Sequence, residues 1–425
     1  MPARRRRREQ GETQMRDRLD RRGFLAGSAA LAGAGALPRV AFAQGAPLKL
    51  GLLLTKTGPL AEIGVQMEQG LTLFLKEKDY TLAGRKVELT IADSGGNPAG
   101  AKSKAQELVE RDQIDILAGP LAAFEMLAIS DYLKEHKVPT LALAGAEDVT
   151  QRKLNPYFVR SSATSSQAMH PLADYARKEL KLARVITISE DFAFGHEQIG
   201  GFQRVFEDEG GRVLAKQWPP LVTADYTPYI AQMTGMDAIV TGFTGSNPIK
   251  FLKQYADQGM KAPVLGGEAT VDDSILKRYG DEAVGVITAE PYSMDLPSES
   301  NRRFVANFSK AYGSIPGLTS VTFYINGQII EAGLKATGGK TDDKDALVKA
   351  MRSVKLADTP RGPMHFDEFG NVVCNVYIRR VEKKGSELVN TTLKTYENVS
   401  QFWTYDPKWF LAQPVYSRDY PPLKS

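Results

Sequence analysis

The chain has four histidines, His136, His170, His196 and His365, and they are scattered along it. They match neither the H-E-x-x-H helix spacing nor any His/Cys set with zinc-ligand spacing, so no metal centre is readable. No G-x-S-x-G elbow occurs. The serines of SSATSS (161–166) have no base partner visible in the sequence and read as an N-cap and a short linker. What recurs is a small loop after an apolar run: TKTGPLAEIG, AGPLAAFEM, ALAGAEDV, SEDFAFGHE, TGFTGSNP and GGEATVDD. A Gly-Pro loop that opens a helix could hold a phosphate, because free N–H groups and the helix dipole favour anions there. The first loop, with Gly58 and Gly64, fits neither G-x-G-x-x-G nor G-x-x-x-x-G-K-[ST]. Its companions carry aromatic and small residues with few charges, which suits a small organic molecule better than a nucleotide.

Such loops need strands and helices to carry them. Short apolar runs at 48–54, 86–92, 114–118, 140–144, 183–189, 237–241, 263–267 and 285–290 alternate with amphipathic segments. Strand followed by helix, repeated this often, predicts parallel sheets with helices on both faces. In open α/β sheets ligands collect beyond the carboxyl ends of the strands, and a cleft between two domains is a favoured place for them. Asn97-Pro98 predicts an N-cap and first position for the helix that follows, Gly95-Gly96 a turn, and Gly210-Gly211 a helix end. Three later helices are expected at 301–312, 321–336 and 344–353, then a hairpin-like pair around 366–371. The aromatic, prolyl stretch QFWTYDPKWFLAQPVYS is expected to lie over a surface. Cys374, the single cysteine, sits in the alternating run NVVCNVYIRRV, where a small buried strand residue is its expected role.

The ends set the charge argument. Arg21-Arg22-Gly23-Phe24-Leu25, a Gly/Ala-rich apolar stretch and Ala41-Phe42-Ala43 together read as a twin-arginine export signal with an A-x-A cleavage site. Residues 1–43 hold ten arginines and four acids, so their removal turns the whole-chain charge of +4 into about −2. The basicity belongs to the leader, and neither nucleic acid nor an anionic membrane is implied as a partner. The remaining 382 residues, from Gln44 on, exceed what a single core usually supports, which predicts two domains.

Read together, LTKTGPLAEIG, IADSGGNPAGAKSKAQELVERDQIDILAGPL, NPYFVRSSAT, DFAFGHEQIGGFQRVFEDEGGRVL, DAIVTGF, FLKQYADQG, GGEATVDD and FDEFGNVVCNVYIRRV resemble, in order and spacing, the type I periplasmic solute-binding proteins of ABC importers. The resemblance is to the leucine-binding family and its relatives for other amino acids and aromatic acids, from about Leu48 to about Val381. It implies an α/β fold of two Rossmann-like lobes with parallel sheets, joined by a three-stranded hinge, closing on a solute that is delivered to an inner-membrane permease. Carried over, the first lobe is 44–162 plus 292–360 and the second 163–291 plus 361–425. No cofactor and no catalytic residue is implied.

The resemblance also places site residues. The first loop, with Gly58, Pro59, Leu60 and Ala61, becomes one wall of the cleft. Ala123, with Phe124 beside it, stands where amino-acid binders use a serine for the ligand carboxylate, and Gly145 where they use a threonine. Phe194, and Phe243 or Thr244, take the stacking positions. Glu268 matches the acid that receives an ammonium group. Loss of both hydroxyls argues against an ordinary α-amino acid, whereas Glu268 argues for a cationic or hydrogen-bond-donating group; an aromatic acid, a hydroxylated aromatic or a small amide would all fit. Each phenylalanine also has a core role open to it, and Glu268 could cap a helix near Asp272. Lys56 and Arg160 could pair an anionic solute, but Lys56 reads rather as solvated surface charge and Arg160 as a crossover-strand salt bridge. A ligand sensor on the same scaffold and a secreted α/β enzyme remain as alternatives.

Overall fold

A computed structural model describes residues 46–424. The expected arginine-rich leader and its A-x-A site lie outside the described residues. The first apolar run forms β1 (Leu48–Leu54), and a Gly58–Leu60 turn leads into α1 (Ala61–Glu77). Then come β2 (Thr81–Leu82), β3 (Arg85–Asp93), α2 (Pro98–Gln106), β4 (Ile116–Ala118), α3 (Ala123–Glu135), β5 (Thr140–Ala142) and β6 (Phe158–Arg160). They build a six-stranded sheet in the order β2-β3-β1-β4-β5-β6. Six of the seven β1 residues are buried, and β1 runs parallel to both β3 and β4. A continuous apolar run is what a parallel strand covered on both faces requires.

A second set of elements follows: α4 (Met169–Lys178), β7 (Arg184–Ile188), α5 (Ala193–Asp208), β8 (Arg212–Gln217), α6 (Thr227–Ile230), β9 (Ala238–Thr241), α7 (Asn247–Asp257), β10 (Val264–Gly266) and β11 (Ile287–Glu290). The chain then returns to the first sheet as α8 (Glu299–Tyr312), α9 (Leu318–Ala336) and α10 (Lys344–Arg352). Side chains of α9 such as Ile325 and Ile329 share a core with Leu71 and Phe74 of α1. Finally β12 (Met364–Phe366), β13 (Val372–Lys384) and β14 (Glu387–Val399) join the second sheet, whose order is β12-β13-β11-β10-β9-β7-β8 with β14 on β13. Strands β7 to β11 are parallel to their neighbours, and β13 runs antiparallel to β11.

The chain thus crosses between the sheets three times: between β6 and α4, between β11 and α8, and between α10 and β12. Buried polar groups tie these crossings together. Arg361, on the third, donates to the carbonyls of Ser161 and Ser162 on the first. Arg160 is also fully buried, but among the described residues it makes no salt bridge. Its guanidinium donates to the Ala144 and Ala146 carbonyls, Thr150 and Asn371, so the expected ion pair is replaced by neutral acceptors. The SSATSS run is buried throughout as the first crossing, and the α4 N-cap is Ala168, so none of these serines caps the helix. The last stretch forms α11 (Pro407–Ala412) and packs on α5, where Arg204 reaches the Tyr416 and Tyr420 hydroxyls at 3.0 and 2.9 Å. Cys374 is buried in β13.

Candidate functional site

Beyond the carboxyl ends of the strands lies a cavity of about 870 Å³, including its part open to solvent. Its first wall comes from Leu60 at the start of α1, Ile63 and Gln66 one turn on, Ala122-Ala123 at the start of α3, Leu143 and Gly145 after β5, and Leu318 at the start of α9. The opposite wall comes from the second sheet: Phe192 and Phe194 after β7, Thr244 and Gly245 after β9, and Glu268, Asp272 and Ile275 after β10.

The cavity therefore contains Leu60, Ala123, Gly145, Phe194, Thr244 and Glu268 from the sequence reading, on two facing walls. Pro59, Ala61 and Phe124 stand beside it without lining it. Phe243 is a correction: it is fully buried in the second core, 5.3 Å from Tyr226 and 5.1 Å from Phe251 between ring centres. Its strand-end position points the ring away from the cleft into the layer of α6 and α7. The aromatic wall is made by Phe192 with Phe194, stacked at 6.0 Å, and Phe124 meets Phe192 edge-on from the other side at 5.6 Å. Gln66 and Phe192 were not foreseen. Phe192 stands two residues before Phe194 in the same loop, whereas Gln66 carries no signal beyond its place on the first turns of α1.

The polar groups divide into two poles. At one, α3 begins with Ala122 as N-cap, which offers no side-chain oxygen; Glu125 takes the Ala122 N–H at 3.0 Å. The N–H groups of Ala123 and Phe124 are left facing a helix N-terminus without a cap, where an anionic group is favoured. At the other pole Glu268 is 8% exposed, and its Oε2 has no partner. Burial pushes its carboxyl up to about 8; the charges of Arg361 and Arg160 oppose this and Asp272 adds to it. Gln66 Oε1 is likewise buried without a partner. Two orphaned polar atoms in one cavity are what a polar ligand group would satisfy. Glu268 caps nothing: the turn at 273–278 is capped by Asp272, which accepts the Ser274 N–H at 2.9 Å.

The walls are in contact at their rims. Glu62 of α1 pairs with Arg278, the Glu147 N–H donates to Glu197 of α5 at 3.1 Å, and a Cβ on Gly245 would overlap the Pro59 carbonyl. This is a closed arrangement of the two sides. Lys56, by contrast, pairs with Glu68 at the surface, at 2.9 Å. No Lys or Arg side chain lines the cavity, and no cluster of metal-ligating side chains exists among the described residues.

Residues 47–386 match the family model described as periplasmic binding protein. The chain belongs to that family. It is 31% identical to the "Leu/Ile/Val-binding protein homolog 6" of Brucella suis, over 82% of this chain and 92% of the relative. Among solved structures it is similar to a solute-binding protein of an ABC transporter from Rhodopseudomonas palustris BisB5 in complex with 3,4-dihydroxybenzoic acid. That likeness has a TM-score of 0.80 and 33% identity, and covers 84% of this chain and 98% of that one. A second, from R. palustris HaA2 in complex with p-hydroxybenzoic acid, gives 0.79 and 30% over 84% and 98%. The chain is thus a substrate-binding protein of an ABC transporter: it captures a small solute and delivers it to a permease. Its neighbours are binding proteins rather than enzymes, and no described helix is long and apolar enough to cross a membrane.

Proposed function

We propose that this protein binds an aromatic carboxylic acid, unaltered, in the periplasm, after export through the twin-arginine machinery directed by residues 1–43. The observation that carries the solute class is the pairing of an uncapped α3 N-terminus with the Phe192–Phe194 wall, and Glu268 opposite. A carboxylate would rest on the Ala123 N–H at the start of α3, and the ring would lie against Phe192 and Phe194. A ring substituent would reach Glu268 and Gln66. The aromatic acids in the two Rhodopseudomonas structures support the same reading.

In this reading the lobes, 44–162 plus 292–360 and 163–291 plus 361–425, swing about the three crossings, and the closed form is what the inner-membrane permease recognises. A second reading, an aliphatic amino acid, is favoured by Glu268 at the ammonium-receiving position and by the Brucella relative. Thermal-shift and calorimetric titration of the mature protein with 4-hydroxybenzoate, benzoate, leucine and isoleucine separates them. Ligand at about 100 times its Kd adds roughly 2.7 kcal/mol, a shift of a few degrees. A shift with leucine and none with either aromatic acid would replace the first reading by the second.

A further inference from the structure

The Gly267–Asp273 loop places three carboxylates in three environments. Glu268 faces the cavity. Asp273 turns back into its own side, where it meets Arg379 of β13 at 3.2 Å, the Asn390 amide at 2.8 Å and the Met294 N–H of the second crossing at 3.1 Å. Asp272 does something different. One oxygen caps the turn at 273–278 through Ser274, and the other accepts the Leu318 N–H at 2.8 Å. Leu318 is the first residue of α9, which belongs to the opposite wall, so this bond spans the cleft. An ionised acceptor on a helix N-terminus gains from both charge-assisted bonding and the dipole. Gly317 precedes Leu318, and a Cβ there would overlap the Asp272 carboxylate.

We propose that Asp272 is the closure latch. Its carboxylate docks on the N-terminus of α9 when the walls meet, Gly317 is the residue that admits it, and the bond sets how long a solute is held. This rests on the reading of the cavity as the solute site, because Glu268 and Asp272 share one short loop: a solute that engages the first delivers the second to α9. Asp272 touches α9 and the turn, so it positions the closed state without being the recognition group.

Two variants test it from opposite sides. Asp272→Ala removes the latch, and Gly317→Ser leaves Asp272 and its turn intact while its hydroxyl caps α9 and its Cβ occupies the docking space. Stopped-flow binding of 4-hydroxybenzoate is expected to show dissociation faster by about tenfold or more in both, with association in Gly317→Ser, whose site lies outside the cavity lining, within about twofold of the parent. The unliganded Tm of Gly317→Ser should hold, since serine is a good N-cap. Spin labels at Lys134→Cys and Lys253→Cys should report loss of the short-distance population in both variants. An unchanged dissociation rate in Gly317→Ser overturns the latch. If 4-hydroxybenzoate does not bind the parent, the solute reading fails by itself. The latch is then judged on the unliganded distance distribution, and a distribution that neither variant alters refutes it.

Discussion

Replacement of Glu268 by glutamine distinguishes a neutral from a charged role for the most deeply buried acid of the cavity. Burial holds its carboxyl near 8, above the ordinary glutamate range, against the pull of Arg361 and Arg160. At pH 7 about nine in ten molecules then carry the neutral acid, and at pH 9 about one in ten. If the acid form donates to a ring hydroxyl, affinity for 4-hydroxybenzoate falls about tenfold between these pH values, about 1.4 kcal/mol. Benzoate, which lacks the hydroxyl, should show little change. Glu268→Gln keeps the shape and a donor, so at pH 7 its affinity should stay within about threefold of the parent. Its profile should also lose the step near pH 8, which corrects for titration of the ligand itself. An ammonium-bearing solute reverses the pattern: parent affinity rises as the carboxylate ionises, and the variant loses tenfold or more at pH 7 through its lost charge partner. Isothermal titration of both proteins from pH 6 to 9 measures this. A flat parent profile, or a tenfold loss in the variant with 4-hydroxybenzoate at pH 7, would refute the neutral-acid argument.

Phe243→Ala should cost about 3–5 kcal/mol of unfolding free energy in urea while leaving the affinity of the folded protein unchanged, because the ring fills the second core. Phe194→Ala should do the reverse, weakening an aromatic solute about 10- to 100-fold in calorimetric titration with a smaller loss of stability. Arg379→Met leaves Glu290 and Asp273 buried without their shared cation, so denaturant unfolding should show a loss of about 3–5 kcal/mol. The carboxyls of Glu147 and Glu190 are pushed by burial to about 7, and that of Glu268 to about 8. Their folded values lie above the unfolded ones, so the stability they contribute is complete below about pH 4.5 and is lost as pH rises through 7 to 8. The unliganded Tm should therefore fall between pH 6 and 9 by scanning calorimetry, and a rise over that interval would contradict the burial argument.

Much of the fold was legible because parallel strands covered on both faces must be nearly all apolar, as in β1, β4, β5, β7, β9, β10 and β11; the eighth run identified, β3 (RKVELTIAD), has only Val87 buried. The strands that were missed have reasons of their own. In β8, RVLAKQ mixes charge with apolar residues because it is an edge strand with only β7 beside it. Likewise β14, ELVNTTLKTYENV, is largely polar because it pairs only with β13 and faces solvent. The serine run at 161–166 looked like linker because hydroxyls usually mark exposed turns. Here the run is buried: the Ser165 hydroxyl donates to Glu197, the Ser166 N–H donates to Glu147, and Arg361 donates to the Ser161 carbonyl.

The site was legible at the level of loops and less so at the level of side chains, for a physical reason that the 267–273 loop makes plain. The sequence GGEATVDD presents Glu268, Asp272 and Asp273 as similar acids within six residues. What separates them is the partner each meets, and these lie far along the chain: Leu318 for Asp272, Arg379 for Asp273, and no protein group for Glu268 Oε2. Asp273 is pushed by burial to about 6, with Arg379 restraining the rise, while Glu268, with only more distant arginine charges, reaches about 8. Equal burial with unequal pairing therefore leaves one acid ionised and structural near neutral pH, and the other largely neutral and available to a guest. The same logic separates Phe243 from Phe192: both follow strand ends, but Tyr226 and Phe251 wait for the first, whereas the second meets Phe124 across the cleft. Side-chain chemistry nominates the candidates, and only the unpartnered ones can answer to a solute.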